Sequence, residues 1–87
     1  MNYLKYDLGI LDFGKTVEVT LHGSAANVRL LDYSNFYNYV HGRGYNCTGG
    51  LATKSPVIMN IPSHDHWYVV IDMEGLRGMP DASVKVR

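Results

Sequence analysis

The chain has 87 residues, 46% hydrophobic and 11% aromatic, with eight basic and eight acidic residues and a formal net charge of zero. That length holds one hydrophobic core, so residues 1–87 are expected to form a single β-rich domain, and the apolar content excludes a disordered chain. The basic residues Arg29, Arg43 and Lys54 are scattered among acids, which argues against a nucleic-acid surface.

Zero net charge supplies little colloidal repulsion and leaves a homo-oligomer open. Cys47 is the only cysteine, so no internal disulfide is expected. No apolar run reaches the roughly 18 residues of a membrane span. Polar residues interrupt Met1 to Phe13, unlike a signal peptide. A cytoplasmic protein without membrane association is the expectation.

Taken in chain order, Leu4, Tyr6 and Leu8 alternate with Tyr3, Lys5 and Asp7 as a weak first strand. Asp12-Phe13-Gly14 spells the kinase magnesium motif, but its companion motifs are absent and a turn explains it. In "KTVEVTLHG", Val17, Val19 and Leu21 alternate with Thr16, Glu18, Thr20 and His22, a strand with one dry face. "ANVRLLD" resumes the pattern after Gly23-Ser24-Ala25, and the short separation predicts a local hairpin.

Leu31 to Pro56 breaks the rhythm. Ser34 is placed to cap one helical turn carrying Phe36, Tyr37, Tyr39 and Val40, stopped by Gly42 or Gly44. Beyond it runs a glycine-rich connection, Gly42–Gly50 at its heart, longer than loops usually are and therefore expected to be functional or partly mobile.

"SPVIMNIP" sets Val57, Met59 and Ile61 opposite Ile58 and Asn60, with prolines at the strand ends. In "IPSHDHWYVVID", residues 62–65 read as a turn, and Trp67, Val69 and Ile71 take the core face opposite His66, Tyr68, Val70 and Asp72. Val70 among the outer residues predicts a central strand covered on both faces. "DASVKVR" alternates once more. Six strands and one short helical turn make an all-β fold, a compact antiparallel sandwich or partly open barrel.

Several side chains are candidates for chemistry. His64 and His66 stand two apart, so on one extended strand they would share a face and a metal, with a third ligand imported from His22, His41, Cys47 or Asp72. The aromatic cluster Tyr33, Phe36, Tyr37, Tyr39 and Tyr45, with Arg43 nearby, suits a ligand pocket or a protein interface. Arg29, beside Asn27 on the polar parity, can donate to a carboxylate or phosphate, and the more ordinary reading is a solvent-facing arginine or a local pair with Glu18 or Asp32. Cys47 lacks a defined base, and no serine sits in a nucleophile elbow.

Five ordered stretches, "KYDLG", "VEVTLHGSAANVRLLDYSNFYNY", "GGLATKSPV", "HWYVVID" and "ASVKV", together resemble a small bacterial β-rich domain of unknown function. That family is also found at the amino-terminal side of TIR domains. The resemblance implies a compact β-rich fold and brings no activity, catalytic residue or cofactor. Its pattern often reads Gly-His-Trp-His where Asp65 to Tyr68 stand here, so a role shared by two histidines does not carry over.

The leading expectation is a non-enzymatic binding or adaptor domain in bacterial signalling or defence, recognising a protein or a small anionic, nucleotide-like ligand without a cofactor. Its candidate contact residues are Arg29, Asn35, Tyr37, Arg43, Tyr45, Thr53, His66 and Arg77. The rival expectation is a small metal-assisted enzyme with a histidine-containing site.

Overall fold

A computed structural model describes residues 2–87. Seven strands and one helix follow in order: β1 (Tyr3–Leu11), β2 (Thr16–Leu21), β3 (Ala26–Asp32), α1 (Tyr33–Val40), β4 (Thr48–Ala52), β5 (Val57–Asn60), β6 (Asp65–Asp72) and β7 (Ala82–Val86). They make two antiparallel sheets, one ordered β1-β6-β3-β4 and the other β5-β2-β7. The fold is thus an open sandwich, not a closed barrel. Among the described residues no helix is long and apolar enough to cross a membrane.

Period-two alternation builds the layers. Val17, Val19 and Met59 from the three-stranded sheet meet Val28, Leu30, Trp67, Val69 and Ile71 from the four-stranded sheet, and Ile61 joins them in one buried cluster. Burying such a side chain fully is worth about 1.5–3 kcal/mol, so this layer supplies most of the driving force for folding. Trp67 belongs here, and its indole N–H donates to the Ser63 carbonyl at 2.9 Å. The core therefore leaves no orphaned donor on its largest side chain.

β6 lies between β1 and β3 and is buried without interruption from Trp67 to Asp72. Its outer face is roofed by α1, where Leu31, Tyr39 and Val70 form a second cluster with Tyr3, Phe36 and Tyr45 packed against it. This matches the two-sided burial that Val70 announces in the sequence.

Three expectations need correction. No hairpin joins β2 to β3, because β2 pairs with β5 and β7 while β3 pairs with β4 and β6. Each strand has one apolar face, and placing them in opposite sheets turns both faces onto one core. The helix has eight residues, and Asp32 rather than Ser34 caps it by accepting the Asn35 N–H at 2.9 Å. β3 ends at Asp32, so the strand runs straight into the helix and Ser34 falls within the first turn.

The third correction is β4, a seventh strand inside the stretch read as an unstructured connection. "TGGLA" carries no alternation because Gly49 lies directly against β3. A Cβ there would overlap the Val28 carbonyl oxygen, and φ is +98°. Both the close backbone approach and the left-handed conformation demand glycine. Gly49→Ala is expected to destabilise the domain by about 2–3 kcal/mol in urea unfolding. Gly44→Ala, where nothing lies within 4 Å, should stay within about 0.5 kcal/mol of the parent.

Candidate functional site

The helix-covered face of the four-stranded sheet is organised by Asp72, whose carboxylate is fully buried. Strand register places Asn27 opposite Asp72 and Arg29 one step away on the same face, the diagonal geometry that lets long side chains meet. Asn27 Nδ2 donates to Oδ1 at 2.8 Å, and Arg29 Nε donates to Oδ2 at 3.0 Å. The Tyr39 hydroxyl reaches down from α1 to Oδ2 at 2.6 Å, and the Glu74 N–H donates to Oδ1 at 3.1 Å. Tyr45 closes the group, packing edge-on against Tyr39 and lying 5.8 Å from the Arg29 guanidinium.

Burial by itself would raise the Asp72 pKa, but the bonds from Arg29, Tyr39, Asn27 and the Glu74 N–H hold it down to about 2. Burial, then the bond to that carboxylate, pushes the Tyr39 hydroxyl well above the ordinary phenol range. The guanidinium is therefore paired with Asp72, not with Glu18 or Asp32. This is an anchor for α1 and the following loop.

The anchor positions a concave site. After α1 the chain turns back so that the Asn46 N–H donates to Asn35 Oδ1 at 2.8 Å, while Asn35 Nδ2 donates to Asp32 Oδ1 at 3.0 Å. Between these residues and β4 lies a cleft of about 190 Å³, lined by Leu30, Asp32, Asn35, Asn46, Cys47, Thr48 and Trp67. Its lining is amide, hydroxyl and thiol over two apolar residues, and its only formal charge is Asp32.

His66 sits elsewhere, on the outer face of β6. The Tyr68 ring stacks on both Phe36 and His66, with centroids 3.9 Å and 4.8 Å apart, and Tyr33 tilts onto His66 at 6.3 Å. His66 Nε2 lies 2.6 Å from Asp7 Oδ1. That contact, then the bond from the Gly9 N–H, holds the Asp7 carboxyl below its usual range. His64 pairs with Asp12 in the neighbouring turn. The two histidines thus take different carboxylates, and among the described residues no group of three or more His, Cys, Asp or Glu side chains converges.

The eight candidate residues consequently do not form one site. Arg29 and Tyr45 belong to the anchor and Asn35 to the cleft. Tyr37 stacks on His41 at 4.0 Å with Arg43 over its ring at 5.7 Å, a separate exposed group at the end of α1. Thr53 follows β4 at the end of the sheet away from the cleft, and Arg77 lies exposed in the loop between β6 and β7. Asp32, Asn46 and Thr48 were missed as site residues, while Asp72 and Tyr39, read as a spare metal ligand and as part of an aromatic pocket, instead bond to each other. Only Asp32 carried a local signal, its cap spacing to Asn35.

Because the folded pKa of Asp72 is depressed, its contribution is complete above the unfolded value near pH 4 and disappears as pH falls through about 2. Denaturant unfolding from pH 7 downward should show about 2 kcal/mol of stability lost across that window. Asp72→Asn should flatten that acid limb and lower stability at pH 7 by about 3 kcal/mol, since it strands the Arg29 charge.

Comparison with curated proteins and with solved structures finds no match. A family model described as a domain of unknown function, DUF1883, matches residues 1–87. The chain therefore belongs to the DUF1883 family, a family of domains whose function is unknown.

Proposed function

We propose that the domain is a cytoplasmic, non-enzymatic recognition module that admits one side chain of a protein partner into the cleft between α1 and β4. The size of that cleft carries the reading. At about 190 Å³ it falls short of the roughly 300–1,000 Å³ of small-molecule sites. A single side chain fits such a volume, and a nucleotide does not.

The lining charge points the same way. No basic residue borders the cleft and Asp32 does, which favours an uncharged or cationic group over a phosphate. Tyr33, next to Asp32 in the chain and 55% exposed, supplies an aromatic contact of the kind interfaces use. Cys47 has no histidine among the cleft residues to activate it, which supports binding over catalysis. The lone cysteine supports a reducing compartment. The resemblance to domains that precede TIR domains supports a place in bacterial signalling or defence.

Amide chemical shifts test this directly. Titration with N-acetyl amino-acid amides bearing amide, hydroxyl or cationic side chains should move the Asn46, Cys47 and Thr48 resonances, while adenosine monophosphate and inorganic phosphate leave them in place. A response to the phosphates, or to none of the amides, contradicts the reading.

A further inference from the structure

Four strands edge the two sheets: β1 and β4 in one, β5 and β7 in the other. An open edge presents unpaired N–H and C=O groups and invites another strand unless something blunts it. β1 is broken in register between Asp7 and Gly9. β4 carries Gly49 and Gly50, both at positive φ, and β5 is four residues long with Pro56 before it and Pro62 soon after. β7 contains no glycine, no proline and no break in its register.

The pairing of β7 with β2 determines which of its backbone groups remain. Thr16 and Arg87 exchange both bonds, N–H to carbonyl, at 3.1 and 2.8 Å, and the His22 N–H donates to the Asp81 carbonyl at 2.9 Å. Antiparallel bonding alternates, so Glu18–Lys85 and Thr20–Ser83 are the bonded pairs between them. The backbone groups of Ala82, Val84 and Val86 therefore point away from β2. Of these, the Ala82 carbonyl accepts the Tyr6 hydroxyl at 2.9 Å and keeps a second lone pair.

We propose that β7 pairs antiparallel with β7 of a second copy of this chain, about a two-fold axis at Val84, so that two three-stranded sheets merge. Charge selects this register. Val84 faces the partner's Val84, Lys85 faces the partner's Ser83, and Arg87 faces the partner's Asp81, opposite charges brought together twice by symmetry. Centring the axis on Val86 instead sets Lys85 against the partner's Arg87, a like-charge pair. Centring it on Ala82 sets Val84 against the partner's Pro80, which has no N–H to give. The Val84 register alone pairs the open backbone groups without either conflict.

Sedimentation equilibrium of the full chain, in a series reaching about 1 mM, should show the mass rising from one chain to two. Val86→Pro removes an outward N–H and no bond to β2, so it should return the protein to one chain mass with an unchanged far-ultraviolet dichroism spectrum. Ser83→Cys with Lys85→Cys, in a Cys47→Ser background, tests the register without proline. Those positions face each other as a non-bonded pair and should link two chains by disulfide under mild oxidation. A parent that stays monomeric throughout, a dimer that Val86→Pro leaves intact, or a cysteine variant that fails to cross-link overturns the proposal.

Discussion

Everything on the helix-covered face depends on keeping one carboxylate charged where water does not reach. An isolated buried carboxylate would neutralise or destabilise the fold, so Asp72 must gather donors from every direction. It takes them from two side chains of β3, one of α1 and the backbone of Glu74. Together they tie β3, α1 and the turn after β6 to the end of that strand. The bond from Tyr39, made to a carboxylate that the other three donors hold in place, fixes the helix over the sheet more specifically than the apolar cluster of Leu31, Val70 and Tyr39 can, because hydrophobic contact has no direction.

The cleft follows from that attachment. With Tyr39 fixed and Tyr45 packed against it, the loop has little choice but to return along α1, and Asn46 meets Asn35 at 2.8 Å. β4 then begins at Thr48, pairing with Leu30, and closes the remaining side. The cleft is built from the four-stranded sheet, α1 and the loop between α1 and β4, whereas β7 belongs to the other sheet. Pairing through β7 would leave both clefts of a dimer open, and two sites on one particle raise the avidity for a partner that can reach both.

The sandwich was legible because most strands alternate cleanly, and the Trp67, Val69 and Ile71 face reads directly as core. What failed were features set by distant neighbours. β2 and β3 looked like a hairpin because they are close in sequence, but their partners are β5, β7, β4 and β6. β4 was invisible because the glycine that lets it approach Val28 also erases its pattern. The site followed the same rule. Arg29 and Asn27 stood out on the polar parity, yet Asp72 becomes their partner only once β3 is known to lie beside β6. The turn read before His66 already set His64 apart from the strand, and the two histidines take different carboxylates.

The central claim is that the Asp72 network, and not the apolar cluster alone, holds α1 and its loop on the sheet. Tyr39→Phe tests it most directly, since it keeps the ring and removes only the hydroxyl bond. Native-state amide hydrogen exchange should then show protection falling in α1 and residues 41–47 while β2, β5 and β7 keep theirs. Unchanged exchange in α1, or an equal loss throughout both sheets, would contradict the account.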